Sequence, residues 1–141
     1  MTKYEVGGDL CAYMKAQGQD VLTEAQTLYI FTQMAIGLKD IHKEGIVHRD
    51  IKHKNIFLSC NSKRPKVKIA DFGLACQLED DECFIQEAGT VGYKAPEIVL
   101  KEPSDYKSDI WSLGCILYEQ LSGQMPFPGS TVKQVEHSIL H

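Results

Sequence analysis

From residue 48 to residue 55 the chain reads His-Arg-Asp-Ile-Lys-His-Lys-Asn, and this segment constrains the fold more than any other. Asp50, Lys52 and Asn55 lie so close together that they suit a short loop aiming several polar groups at one point. The flanking sequence agrees. On the N-terminal side, Thr23 reads as an N-cap with Gln26 three residues on, a capping box. Leu28, Phe31, Met34, Ala35, Leu38, Ile41 and His42 then recur at three- and four-residue steps, the periodicity of a long helix with a core-facing stripe. Gly45 is placed to end that helix. On the C-terminal side, Ile56–Leu58 and Val67–Ile69 are short strands rich in large apolar residues, and the polar turn at 61–65 makes them a hairpin. Such a hairpin would bring Asn55 and Asp71 near each other at its outer ends.

Elsewhere the pattern is simpler. Residues 1–6 read as a short extended segment broken by Gly7-Gly8, and residues 9–15 as a short helix. Residues 74–90 lack periodicity and read as a loop. A helix is predicted over 104–122, where Ile110, Trp111, Leu113, Ile116, Leu117 and Leu121 make it apolar nearly all round and therefore buried. A further helix is predicted over 132–140.

Composition narrows the possibilities. At 141 residues the chain suits one domain with a real core. A net charge of -4 with a pI near 5.7 argues against nucleic acid as the main partner. No apolar run approaches membrane-spanning length, and no basic segment leads into an apolar stretch at the N-terminus. The five cysteines are odd in number and form no Cys-x-x-Cys pair, which predicts reduced thiols and a cytoplasmic or nuclear setting.

Two more motifs follow the polar segment: Asp71-Phe72-Gly73 and Ala95-Pro96-Glu97. In this order and spacing the set resembles the signature of eukaryotic-type serine/threonine protein kinases, over residues 1–141. The resemblance implies a mainly α fold with short β-hairpins, the C-terminal lobe of such a kinase. Residues 1–9 would be the hinge and 10–141 the large lobe, incomplete at its C-terminal end. The N-terminal β-rich lobe is expected to be absent, because the family's glycine-rich loop, phosphate-binding Lys and partner Glu lie before the hinge. An upstream chain supplying that lobe is the partner this implies, besides a protein substrate.

Phosphoryl transfer needs nucleophile, metal and phosphates held in line with their charge compensated. By resemblance, Asp50 accepts the proton of the attacking hydroxyl and Lys52 places positive charge beside the transferred group of ATP. Asn55 and Asp71 supply oxygen ligands to Mg2+, a hard cation. Lys52 and Thr90 both point to serine/threonine rather than tyrosine acceptors, with Thr90 shaping the substrate groove. At the nucleotide end, the Lys3 carbonyl and Glu5 amide would meet adenine, Asp9 the ribose, and Phe57 the underside of the adenine ring. His48, Arg49, Phe72, Gly73, Glu97 and Asp109 take structural roles. Asp109 opens Asp-Ile-Trp-Ser-Leu-Gly, which resembles the family's central helix, whose Asp ties down the catalytic-loop backbone. His53 stands where the family more usually has Pro, and by analogy lies on the loop's outer side. Glu97 is expected to be a buried carboxylate without its partner.

The acidic run at 79–82 reads in two ways: as carboxylates standing in for a regulatory phosphate near Arg49, or as a simply solvated loop. The hairpin and Lys-x-x-Asn-Ile-Phe-Leu resemble kinases of the never-in-mitosis type, with the subfamily left open. Two other classes compete. One is a non-catalytic truncated relative that binds partners or substrates. The other, small-molecule kinases, is disfavoured by Ala-Pro-Glu and the Asp109 helix, which serve protein substrates.

Overall fold

Thr23 starts the element on which the rest is built. In the computed structural model, which describes residues 7–18, 21–78 and 89–141, the capping box forms: the Gln26 amide N–H donates to Thr23 Oγ1 and the Thr23 N–H to Gln26 Oε1. Helix α2 (Glu24–Lys43) follows, and its buried seam is Thr27, Ile30, Met34 and Leu38. Of the predicted stripe, Met34 and Leu38 are buried and Phe31 and Ala35 pack against the core, whereas Leu28 is half exposed and Thr27 and Ile30 face inward near it. Each large apolar side chain so buried contributes about 1.5–3 kcal/mol. Before it, helix α1 (Leu10–Ala16) is capped by Asp9, whose Oδ1 accepts from the Ala12 N–H at 2.8 Å. Leu10 and Tyr13 of α1 join Ile30, Met34 and Leu38 of α2 in the core.

Gly45 ends α2 with φ 75°, a left-handed conformation that favours glycine. The chain then enters β1 (Ile46–Val47), the polar loop, and the hairpin β2 (Ile56–Leu58) and β3 (Val67–Ile69), at the expected bounds. The hairpin register pairs Ile56 with Ile69 and Leu58 with Val67. One pairing had no sequence signal: β4 (Cys76–Gln77) lies antiparallel to β1, with Val47 opposite Cys76. Strands of two residues carry too little pattern to read. Gly7 packs under the hairpin, where a Cβ would sit 2.6 Å from the Leu58 carbonyl oxygen.

Helix α3 (Pro96–Val99) begins with its proline in the first turn, where the missing N–H costs nothing. Helix α4 (Tyr106–Ser122) is capped by Asp105 and ended by Gly123 at φ 71°. Helix α5 (Val132–Leu140) starts from a second capping box, Thr131 with Gln134. Helices thus carry most of the regular structure, with two small antiparallel pairs among the described residues. No described helix is long and apolar enough to cross a membrane.

Three expectations are corrected. Helix α4 is not buried all round: Ile110, Tyr118 and Leu121 are about half exposed, while Ser108, Asp109, Ser112 and Gln120 are buried. Part of its inward face meets loop backbone, where Asp109 accepts from the His48 and Arg49 N–H groups and Ser112 donates to the Tyr93 carbonyl, bonds that aliphatic side chains could not make. Cys76 is disulfide-bonded, so the thiols are not all reduced; among the described residues Cys11, Cys60 and Cys115 are free. A disulfide depends on tertiary approach of two Cα atoms, which spacing in sequence does not report. Glu97 is only half-buried, so it is not the fully buried carboxylate expected.

Candidate active site

The polar loop is held in shape by one carboxylate from α4. Asp109, 1% exposed, accepts from the His48 N–H at Oδ2 and from the Arg49 N–H at Oδ1, each at 2.8 Å. His42 Nε2, near the end of α2, reaches the same Oδ2 at 2.8 Å. These bonds hold Arg49 at φ 68°, a conformation that costs a non-glycine residue about 1–3 kcal/mol. His48 does a second job. Its Nδ1 accepts from the Asp50 N–H at 3.3 Å, so the ring proton sits on Nε2 and donates to the Ala70 carbonyl at 3.0 Å. The same ring packs on Phe72, with centroids 4.9 Å apart. His48 thereby joins the backbone of Asp50 to the residue just before Asp71.

Asp71 itself has φ 64°, and its Oδ1 accepts from the Gly73 N–H at 3.3 Å. Its segment is pinned at both ends. The Ala70 N–H donates to the Asn55 carbonyl at 2.9 Å, and Cys76 is paired to Val47 through β4 and β1. The hairpin therefore places Asn55 and Asp71 at neighbouring ends, and the β1–β4 pair returns the chain beside the loop's entrance.

Around Asp50 the side chains close a ring. Lys52 Nζ donates to Asp50 Oδ2 at 2.6 Å and to Thr90 Oγ1 at 2.8 Å, and Thr90 Oγ1 donates to Asp50 Oδ1 at 2.7 Å. Asn55 Nδ2 donates to the Asp50 carbonyl at 2.8 Å and to its Oδ2 at 3.1 Å. Both amide hydrogens of Asn55 are thus spent on Asp50, which leaves its Oδ1 as an acceptor with no hydrogen to offer a cation. A carboxylate has about four acceptor positions. Three donors reach that of Asp50, so Oδ1 keeps room for one further hydroxyl.

Burial raises the pKa of Asp50, but hydrogen bonds from Lys52, Thr90 and Asn55, with the charge of Lys52, outweigh it and hold the carboxyl below its usual value. A depressed folded pKa gives stability that is complete above the unfolded value, about 3.9, and lost as pH falls through the folded one. The stability difference between the native chain and Asp50→Asn should therefore stay flat from about pH 5 to 8 and shrink below about pH 4. Thermal melts across that range check this; a difference that changed between pH 6 and 8 would contradict it.

Other predicted residues fall less centrally. Asp9 and Phe57 form a bridge across the backbone beside the hairpin, with Phe57 partly exposed, but one Asp9 oxygen is engaged in capping α1. Among the described residues the Glu97 side chain makes no hydrogen bond or ion pair, and its backbone carbonyl accepts from the Glu102 N–H at 2.8 Å. Lys3, Glu5 and the acidic run at 79–82 lie outside the described residues. His53 is not on the outer side of the loop. It is 3% exposed, and its Nδ1 lies 3.1 Å from both the Tyr93 hydroxyl and Glu119 Oε2. Sequence reading also missed the site role of His42, which it had placed only in a helical stripe. Its partner is Asp109, 67 residues away, and no local pattern reports such a pair.

Oxygen donors from Asn55 and Asp71 fit magnesium, which commonly takes one or two protein ligands and fills the rest with phosphate and water. The comparisons with known proteins point the same way. Residues 1–141 match the protein kinase domain, and the chain belongs to that family. It is 42% identical over 134 residues to serine/threonine-protein kinase Nek5 of Homo sapiens, covering 94% of this chain and 19% of the relative. It is 36% identical over 138 residues to serine/threonine-protein kinase ATG1a of Arabidopsis thaliana, covering 98% of this chain and 22% of the relative. It is 40% identical over 140 residues to the putative sperm motility kinase W of Mus musculus, covering 99% and 27%. The chain therefore spans about a fifth to a quarter of the length of these relatives. The Nek5 match is in line with the resemblance to kinases of the never-in-mitosis type.

Proposed function

We propose that these residues carry the acceptor side of a serine/threonine protein kinase site, which transfers the γ-phosphoryl group of ATP to a protein hydroxyl. The observation that carries the reading is the closed ring of Asp50, Lys52 and Thr90, with Asn55 bonded to the same carboxylate. Residues 1–9 are read as the hinge and 10–141 as the large lobe. Asp50 Oδ1 accepts the hydrogen bond of the incoming Ser or Thr and aligns its oxygen. The lowered pKa suits a late proton transfer, since a weak base takes a proton only once the new bond is well formed. Lys52 lies against Asp50 and Thr90 with its charge toward the group in flight. Asn55 Oδ1 and the Asp71 carboxylate would hold magnesium, which supplies charge compensation on the phosphates when bound. Asp9 and Phe57 would border the nucleoside.

The 141 residues contain no glycine-rich loop with a phosphate-binding lysine ahead of the site. Electrostatic positioning of the phosphates is usually the largest catalytic contribution. This polypeptide alone is therefore expected to transfer phosphate at background level. The longest natural polypeptide containing it is expected to label dephosphorylated casein on Ser and Thr but not Tyr. Radiolabelled ATP and phosphoamino-acid analysis check both. Robust transfer by the 141 residues alone would overturn the first expectation. No transfer by the longer chain would favour a non-catalytic binding role instead.

A further inference from the structure

Resting on the kinase reading, we propose that His53 is a positioning residue for the protein acceptor, joining the catalytic loop to the Tyr93 segment through a three-way contact with Glu119. The segment from Gly89 to Glu97 lies over the polar loop and is fastened to it at two points. One is Thr90, bonded to Asp50 and Lys52. The other is Tyr93. Its hydroxyl donates to Glu119 Oε2 of α4 at 2.7 Å, and its carbonyl accepts from Ser112 Oγ at 2.7 Å. Both of those contacts go to α4. Among the described residues, the polar side-chain contact that ties this point to the loop carrying Asp50 is His53, through Nδ1 at 3.1 Å from the Tyr93 oxygen and 3.1 Å from Glu119 Oε2.

The hydrogen accounting assigns the ring. The Tyr93 hydrogen goes to Glu119, so the ring nitrogen that faces both oxygens must be the donor. That puts the proton on Nδ1. Nε2 is buried with no partner, so the whole polar function of the side chain lies at Nδ1. Burial raises the Tyr93 pKa strongly, with Glu119 adding to it, so the phenol stays protonated as this arrangement requires. On Glu119, burial pushes upward, but the bonds from His53 and Tyr93 win and keep the carboxylate ionised. A fixed acceptor thus gathers two donors, and these come from two different parts of the site.

Without the Nδ1 donor, Tyr93 remains fastened to α4 and loses its tie to the loop. The acceptor peptide then meets a segment free to shift relative to Asp50, and small misplacements are costly in a positioned reaction. The nucleotide side should feel nothing, because Asn55 and Asp71 are held by Asp50, Ala70 and the β1–β4 pair.

The test has two arms, both on the longest natural polypeptide that contains these residues. In the kinetic arm, His53→Ala should raise KM for dephosphorylated casein about tenfold, equivalent to ~1.4 kcal/mol, with KM for ATP unchanged. His53→Asn places an amide N–H near the position of Nδ1 and should restore most of the loss. His53→Gln reaches the position of Nε2 and should not. Equal behaviour of Asn and Gln, or a shared rise in KM for ATP, would overturn the proposal as a merely structural effect. In the spectroscopic arm, nitrogen-15 NMR should find the His53 proton on Nδ1, and Tyr93→Phe should shift that resonance. A proton on Nε2 overturns the proposal whether or not the enzyme is active. If the native chain transfers no phosphate while the proton sits on Nδ1, the kinase reading fails and the contact geometry stands.

Discussion

On the kinase reading, Asp50→Asn in the longest natural polypeptide that contains these residues is expected to cut phosphoryl transfer by about 100- to 10,000-fold, the range over which a positioned base acts. The substitution keeps shape and removes charge. It also turns one oxygen into an NH2 group amid Lys52, Thr90 and the Asn55 amide, all of which donate to Asp50. One of these donors then faces another donor. Thr90 can turn its hydroxyl to relieve part of the conflict, since Lys52 already donates to the same oxygen. The incoming hydroxyl loses both its acceptor and its alignment. ATP affinity should change much less than the rate, because the Asp50 carbonyl still accepts from the Asn55 amide at 2.8 Å when the carboxylate is replaced. Rate and nucleotide binding measured on the same preparation separate the two, and a variant with native turnover would remove Asp50 from the chemistry.

The second large effect concerns stability. Asp109→Ala should destabilise the fold by about 3–5 kcal/mol, the usual loss when a buried charged group that satisfies its neighbours is removed. Three donors lose their acceptor at once: the His48 and Arg49 N–H groups and His42 Nε2. A buried donor left unsatisfied costs about 1–3 kcal/mol, so two backbone N–H groups alone account for most of the figure. Arg49 would also lose what holds it at φ 68°. Asp109→Asn keeps one oxygen but turns an NH2 toward a backbone N–H, and should fall between the native chain and Ala. Urea unfolding should report a lower midpoint for both with little change in slope. A loss under about 1 kcal/mol for Ala would mean that water reaches these groups and that Asp109 does not organise the loop.

Both effects begin with residues that the sequence brings to notice, but in different ways. Asp50 stands in a local pattern with Lys52 and Asn55, two and five residues on, and the shared purpose of such neighbours can be read directly. The hairpin is legible for the same reason: two short runs of large apolar residues around a polar turn leave little freedom, and its bounds agree with expectation. The capping boxes at Thr23 and Thr131 are contacts between residues three apart, within reach of any local reading. The stripe of α2 was legible from Phe31 to Leu38 but not at its start, because Leu28 and Ile30 are equally apolar and only the packing partners choose between them.

What the sequence by itself determined is the set of local elements and the polar loop between them, since each follows from contacts within a few residues and from the apolar period. Tertiary structure alone decided the rest. It buried His53 against Tyr93 and Glu119, turned polar residues of α4 inward toward loop backbone, paired β1 with β4, and gave His42 and the loop a common acceptor in Asp109. The physical reason is distance along the chain. A buried donor demands an acceptor, but nothing in the donor's own neighbourhood says which residue, 40 or 67 positions away, will supply it.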